Sequence, residues 1–267
     1  KTENRSLDAY VMMLDNEGEK LWDRAYGTDS FDRFHGIEPT ADGGFLLLGF
    51  TGGLASEKDC YLVRIDGEGQ TIWEKTYPRN GTAEGASVAT ETVSHSFIVG
   101  GLEMDTESGR QRIYLFEIDP QGEKVWERTL GEAYWQYLAG ILPTHEGYIV
   151  AGATPSPQTG LASLYLAKID DAGEVLWNAT IAGEGCSLGA DGIIESWEGG
   201  FVIAGSSSPA GGKSDILILA GCEPSYHVTE RLLCPSIAML CFASVYLGAD
   251  PRRNSRGARV HPSGPTL

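Results

Sequence analysis

Short apolar runs, each closed by a turn sequence, recur along the first 220 residues. Tyr61-Leu-Val-Arg-Ile65 is rich in β-branched and aromatic residues and predicts a strand. Asp66-Gly-Glu-Gly69 predicts a hairpin turn, because the Asp side chain accepts from nearby backbone N–H groups and Gly takes positive φ. Ile72 to Tyr77 predicts the returning strand, and Phe45 to Thr51 predicts a strand that is apolar throughout. The pattern indicates antiparallel β-structure.

This pattern has a fixed period of about fifty residues. Four Trp residues lie 51, 53 and 51 positions apart, at Trp22, Trp73, Trp126 and Trp177. Each is preceded at constant offsets by an Asp, namely Asp15, Asp66, Asp119 and Asp170. Each is also preceded by a Gly, namely Gly18, Gly69, Gly122 and Gly173, and by a Tyr, namely Tyr10, Tyr61, Tyr114 and Tyr165. Such regularity is the signature of a repeat architecture.

Two further strands complete the repeat. One covers Gly36 to Thr40, and the next begins at Phe45 and contains Gly49. The second copy departs at Ser94-His95-Ser96, where the others place Gly in the turn. Four short antiparallel strands per fifty residues are typical of one propeller blade, and stacked blades bury each other's faces. We therefore predict an all-β fold, a β-propeller of four-stranded antiparallel blades with about four to five repeats present, in which the four Trp wedge between neighbouring blades.

The predicted boundaries leave the blade number open. We expect a partial blade at 8–27, blades at about 30–78, 81–130 and 132–182, and a partial blade at 186–220. If the first piece completes the last, the ring has four blades. A fragment of a larger propeller, cut at both ends, fits equally well.

Residues 221–267 lie outside the repeat. Cys222, Ser225 and Thr229 stand where the repeat calls for Asp, Gly and Trp. Residues 1–220 hold 15 Lys and Arg against 34 Asp and Glu, whereas 221–267 hold 5 against 3. This non-repeat tail has three interpretations: an artefact of a shifted reading frame or gene boundary, a disordered or loosely packed extension, or a genuine functional appendage.

Charge and cysteine usage narrow the function classes. A net charge of −17 argues against nucleic acid and against an anionic membrane surface, because both need clustered Lys and Arg. The longest apolar run, 237–248, is too short for a transmembrane segment. The five Cys form no Cys-x-x-Cys pair and have no His at metal-ligand spacing, so we expect no metal site and cannot assign their redox state.

The repeated motif is hydrophobic-x-hydrophobic-Asp-x-x-Gly-x-x-x-Trp. It resembles the tryptophan-docking repeat of quinoprotein-like (PQQ-type) β-propellers, and the resemblance covers about residues 8–220. It looks closest to repeats of uncharacterised secreted or cell-surface proteins of archaea and bacteria. The dehydrogenase version usually carries one more residue between Asp and Gly, and the alcohol-oxidising members carry a vicinal Cys pair; both features are missing here. The resemblance therefore implies the non-enzymatic branch of that superfamily, with no bound cofactor.

Most candidate residues have a structural interpretation. The repeated Asp residues also suggest calcium ligands or paired acids, but turn chemistry explains all four. The repeated Trp also suggest sugar-stacking platforms, but their periodicity favours packing between blades. His35 and His95 lack a Ser or Cys nucleophile arrangement. Candidate ligand or partner contacts are the aromatic residues outside the repeat positions, namely Tyr134, Trp135, Tyr137 and Trp197.

The sequence thus predicts a non-catalytic β-propeller, located outside the cytoplasm or at the cell surface, that serves as an interaction or scaffold module for a protein or glycan. Glycosylation sequons at Asn4, Asn80 and Asn178 add slight weight to that location. The alternative is a fragment of a quinoprotein-like oxidoreductase or of a carbohydrate-active surface enzyme. Neither the partner nor any membrane anchor is identifiable from the residues.

Overall fold

Five antiparallel β-sheets make up the computed structural model, which describes residues 8–53, 58–79, 82–131, 134–156, 158–196, 200–209, 212–221 and 244–247. No helix is present in those residues. We number the sheets I to V in chain order. This arrangement confirms the predicted fold class, an all-β protein built from blade-like antiparallel sheets.

Each sheet is a simple meander. Sheet I contains β1 (Ala9–Leu14) and β2 (Lys20–Tyr26). Sheet II contains β3 (Phe31–Pro39), β4 (Phe45–Gly52), β5 (Lys58–Ile65) and β6 (Thr71–Tyr77). Sheet III contains β7 (Thr82–Glu91), β8 (Phe97–Asp105), β9 (Gln111–Ile118) and β10 (Lys124–Leu130). Sheet IV contains β11 (Tyr137–Pro143), β12 (Tyr148–Pro155), β13 (Ala162–Ile169) and β14 (Val175–Ala182). Sheet V contains β15 (Cys186–Glu195), β16 (Phe201–Pro209) and β17 (Asp215–Gly221).

One further strand comes from the non-repeat tail. β18 (Ser244–Leu247) pairs antiparallel with β14 at the outer edge of sheet IV. Gly221, the first residue of the tail, ends β17, and the rest of the tail lies outside the described residues, so its predicted character stays a prediction.

Burial explains why the strands differ in composition. β4 and β5 are central in sheet II and are covered on both faces by sheets I and III, so nearly every residue from Leu46 to Phe50 is buried. β6 is an outer strand, and its residues alternate between exposed and partly buried before the buried Tyr77. A strand buried on both faces is expected to be apolar throughout, whereas an outer strand alternates.

The first strand of each four-stranded sheet extends beyond the predicted segment. A β-bulge lies within each of these strands and interrupts the alternating pattern from which the segment was predicted. In β3 the pairing with β4 shifts between Phe34 and Gly36. A Cβ on Gly49, opposite that bulge, would lie 1.9 Å from the Arg33 carbonyl oxygen, so only Gly fits. The recurrent Gly of the other copies face the equivalent carbonyl oxygens in the same way; they are Gly101, Gly152 and Gly205.

The Asp-x-x-Gly turns have the same geometry in all four copies. In the β5–β6 turn, the Asp66 carboxylate accepts hydrogen bonds from the backbone N–H groups of Glu68 at 3.0 Å and Gln70 at 2.7 Å. Gly69 closes the turn with a φ of 76°. Equivalent bonds are made by Asp15, Asp119 and Asp170. Each Asp thereby satisfies backbone donors that the turn leaves unpaired.

Three of these turns, those of sheets II, III and IV, also receive a Trp from the preceding sheet. Trp73 Nε1 donates a 3.0 Å hydrogen bond to the Pro120 carbonyl, and the ring lies against Gly122. The corresponding bonds elsewhere run from Trp22 to the Gly67 carbonyl and from Trp126 to the Asp171 carbonyl. Tyr77 adds a hydrogen bond from its hydroxyl to the Gly122 carbonyl at 2.9 Å. The turn that would receive Trp177 lies outside the described residues.

Four apolar cores lie between successive sheets rather than in one centre. The core between sheets II and III joins Leu62 and Cys60 of one sheet to Tyr114 and Phe116 of the next, with Trp73 packed at its edge. The same pattern is repeated between sheets I and II, III and IV, and IV and V. The sheets therefore pack in sequence order, and each contacts mainly its sequence neighbours.

Candidate functional site

Three of the four predicted contact residues lie in the aromatic segment that leads into sheet IV. Tyr134 and Tyr137 are 62% and 48% exposed, and Trp135 is partly buried. The segment lies at the upper end of the stack, which we define as the end where the chain passes from the last strand of one sheet to the first strand of the next. Loops at such an end carry ligand contacts in many scaffolds of this kind.

Hydrogen bonds hold this segment against the start of β9. The Gln111 backbone N–H donates to the Tyr134 carbonyl at 3.0 Å, and the Gln111 side-chain amide donates to the Gln136 carbonyl at 3.1 Å. The buried Gln136 side chain accepts in turn from the Ile113 backbone N–H at 3.4 Å. The tyrosines are thus presented on a backbone that is fixed at both ends, which lowers the entropic cost of binding.

The fourth predicted contact, Trp197, lies outside the described residues, so the structure does not show whether it approaches the other three. Tyr134 lies near the β8–β9 turn, since a Cβ on Gly109 would lie 3.5 Å from the Tyr134 hydroxyl oxygen. The exposed Met104 precedes that turn and pairs with Gln111. Aromatic rings and an exposed thioether therefore share one surface where sheets III and IV meet.

A row of three charged residues, two of them buried, crosses the upper end of sheet III. Glu84, Glu103 and Arg112 are paired across β7, β8 and β9, and they face sheet II. Glu103 is fully buried and forms ion pairs with Arg112, at 2.7 Å, and with Arg79, which follows β6. Glu84 accepts a hydrogen bond from the Thr82 hydroxyl. Burial raises the pKa of Glu84, while Thr82 and Arg79 partly oppose that shift.

The other sheets carry uncharged or mixed versions of the same row. In sheet II, Asp32 and Thr51 are buried cross-strand neighbours, and both are joined by the Thr28 hydroxyl. In sheet IV, Thr154 and Ser163 occupy the equivalent buried positions. The row was not predicted from the sequence. Its signal was a polar residue two positions before each repeated Tyr, as in Asp59, Arg112 and Ser163.

His35, His95 and Cys60, the candidates for acid–base or nucleophilic chemistry considered from the sequence, are engaged in packing or in a turn. His35 contacts the Phe50 ring edge-on with centroids 5.3 Å apart, and burial lowers its pKa. His95 takes the left-handed φ of 61° that Gly43 takes in the previous copy, and it pairs with Glu91 at 2.7 Å. Cys60 is fully buried, and burial strongly raises the pKa of its thiol.

Within the described ranges, no group of three or more His, Cys, Asp or Glu side chains is arranged to hold a metal ion. The same part of the chain has no helix with the length and apolar character needed to cross a membrane.

The similarities of this chain to known proteins do not assign it to a family. No family model matches the sequence, and no curated protein matches it. Among solved structures, the chain is similar to the WD40 domain of SCAP from fission yeast, with 11% identity over 81% of this chain and 72% of that chain. The TM-score is 0.24. The assignment of blade-like sheets rests on the strand pairing described above.

Proposed function

We propose that this protein is a non-catalytic, propeller-type interaction or scaffold module that contacts a protein or glycan partner through Tyr134, Trp135 and Tyr137. The observation that carries the proposal is the presentation of two exposed tyrosines on a hydrogen-bonded segment at the upper end. Tyr and Trp contribute large contact areas with few rotatable bonds, and they are enriched where binding energy is concentrated.

Charge and side-chain chemistry support the same class of function. The net charge of −17 disfavours nucleic acid as the partner. The described His side chains that resemble catalytic candidates are held by Phe50 and Glu91, and Cys60 is buried with a raised pKa. The repeat resembles that of quinoprotein-like propellers, and the missing residue between Asp and Gly and the missing vicinal Cys pair favour the non-enzymatic branch of that superfamily.

An extracytoplasmic or cell-surface location is part of the proposal. Its support is the sequon at Asn178, which lies partly exposed on β14, together with the sequons at Asn4 and Asn80. Peptide mapping of protein expressed through a secretory pathway is expected to find glycan at one or more of these sites. Complete absence of glycan would remove this support.

The binding surface is tested with a printed glycan array and a peptide array, each probed with the purified 267-residue chain. Wild-type protein is expected to bind a defined subset of one array, and Tyr134→Ala and Trp135→Ala are expected to weaken that binding at least about tenfold. Ile72→Ala is the control, because Ile72 is 55% exposed on the outer strand β6, away from the upper end. Binding that survives both upper-end substitutions would contradict the proposed surface.

The enzymatic alternative is tested separately. Addition of PQQ with calcium is expected to leave both the absorption spectrum and the thermal unfolding midpoint unchanged. A spectral shift together with thermal stabilisation would favour a quinoprotein-like oxidoreductase instead.

A further inference from the structure

The two ends of the sheet stack expose the same kind of surface that is buried at every internal contact. At each internal contact, one sheet presents the face that carries the repeated Tyr, which we call the trailing face. The preceding sheet presents the opposite face, which we call the leading face. Sheets II to IV have a neighbour on both faces.

The trailing face of sheet I has no neighbour among the described residues. Tyr10, Met12 and Leu14 are 59%, 49% and 45% exposed. Their counterparts in sheet II, which are Tyr61, Val63 and Ile65, are all buried against sheet I. The exposed apolar side chains of sheet I are therefore of the kind that is buried at the internal contacts between sheets.

The turn of sheet I gives independent evidence of the missing neighbour. A Cβ on Gly173, in the turn of sheet IV, would lie 2.7 Å from the ring of Trp126 in the preceding sheet. Gly18 occupies the same place in the sheet I turn, with a similar positive φ, yet a Cβ there would have no atom within 4 Å. The position that receives a preceding sheet is thus empty at sheet I.

The leading face of sheet V is the complementary half. Ile216 and Ile218 are 66% and 44% exposed, whereas their counterparts Cys60 and Leu62 are fully buried against sheet III. Ile194 is also exposed beside them, in register with Val202. A patch of exposed apolar side chains on one face of a sheet is characteristic of contact surfaces.

We propose that a second copy of this chain fills each end, with the leading face of sheet V in one copy packed on the trailing face of sheet I in the next. The argument is continuity with an existing interface, because every internal contact already joins a leading face to a trailing face. Such an association is head-to-tail, so it builds an open chain or a closed ring of copies. The contact lacks the Trp of the internal ones, since Thr229 stands where the repeat places Trp.

The test is the oligomeric state of the full chain over a range of concentrations, measured by sedimentation velocity. Wild-type protein is expected to increase in mass with concentration. Met12→Asp and Ile218→Asp are each expected to weaken self-association at least about tenfold, because a charge is placed in an apolar contact. Ile72→Asp is the control, since Ile72 is exposed on an outer strand away from both faces.

A mixture of the two variants distinguishes head-to-tail packing from other modes. Met12→Asp keeps an intact leading face and Ile218→Asp keeps an intact trailing face, so an equimolar mixture is expected to form a one-to-one dimer and nothing larger. Wild-type protein that stays monomeric at all concentrations would overturn the proposal, as would oligomers that persist in each variant alone. A mixture that fails to form the dimer, while wild-type protein associates, would also overturn it.

Discussion

Trp73 on β6 donates its indole N–H to the carbonyl oxygen of Pro120, 47 residues later and in the next sheet, at 3.0 Å. This bond and the ring contact with Gly122 join the outer strand of sheet II to the turn of sheet III. The same relationship links Trp22 to Gly67 and Trp126 to Asp171. The contacts between sheets thus recur with the sequence repeat, which makes their energetic contribution measurable at several equivalent positions.

Replacing Trp73 tests that contribution. Trp73→Ala is expected to lower the free energy of unfolding by about 2–4 kcal/mol, because a partly buried indole and its contacts are lost. Trp73→Phe keeps an aromatic ring but removes the donor, so a loss of about 1 kcal/mol is expected. Urea unfolding monitored by circular dichroism measures both. The neighbouring exposed Ile72→Ala is the control and is expected to change stability by less than about 0.5 kcal/mol.

Two glycine substitutions separate backbone strain from the indole contact. Gly18 and Gly173 both have positive φ, at 86° and 75°, but only Gly173 has an indole against it. Gly18→Ala is expected to cost about 1 kcal/mol through the left-handed backbone alone. Gly173→Ala is expected to cost clearly more, because its Cβ would lie under 3.0 Å from Trp126 ring atoms. Equal losses in chemical unfolding at low protein concentration would argue against the contact.

The turn aspartates are expected to act through hydrogen bonds and not through a bound cation. Asp66→Ala removes the acceptor of two backbone donors, so a loss of about 1–2 kcal/mol is expected. Asp66→Asn retains a side-chain oxygen and is expected to recover most of that loss. Thermal unfolding with calcium or with EDTA is the discriminating measurement. A midpoint that rises with calcium in wild-type protein, but not in Asp66→Asn, would show that the turn binds the ion.

Stability is expected to depend on pH through Glu38. Burial, reinforced by the charge of Glu91, raises the pKa of Glu38 from 4.5 to about 7. The folded state therefore binds a proton more tightly than the unfolded state, and this carboxyl lowers stability as pH rises from about 4.5 to about 7. Glu38→Gln is expected to raise the free energy of unfolding above pH 7 by on the order of 1–2 kcal/mol, allowing for partial solvent exposure.

The pH profile of that variant supplies its own control. Near pH 4, Glu38 is protonated in both states, so the variant and the wild-type protein are expected to have nearly equal stability. A stabilisation that is the same at pH 4 and pH 8 would mean that the substitution acts through packing and not through the charge.

The predicted fold class is confirmed because its signal was local and repeated. One hairpin contains Tyr61 to Ile65, the Asp66 turn and the returning strand to Tyr77. Its residues are close in sequence, so the hairpin can be predicted without knowledge of any distant contact. The start of β3 was not predicted, because the bulge between Phe34 and Gly36 interrupts the alternation of side chains along the strand. The predicted strand therefore began at Gly36 and omitted Phe31 to Phe34.

The buried charges were missed for a different reason. Glu and Arg side chains are usually exposed to solvent in proteins. The sequence around Glu103 and Arg112 therefore gives no sign that sheet II packs on this face of sheet III. Arg79, which neutralises Glu103, comes from the connection after a different sheet. Only the packing of one sheet on the next brings these groups together, so local pattern did not reveal them. The aromatic segment at Tyr134 was identified from its departure from the repeat, and its role as a contact stays a prediction.

The most direct test of the stacked-sheet account is a nuclear Overhauser measurement between Trp ring protons and Gly α-protons in selectively labelled protein. The account predicts cross-peaks for the pairs Trp22–Gly69, Trp73–Gly122 and Trp126–Gly173, and slow exchange of the three indole N–H protons with solvent. Indole protons that exchange freely and show no cross-peak to these glycines would contradict it.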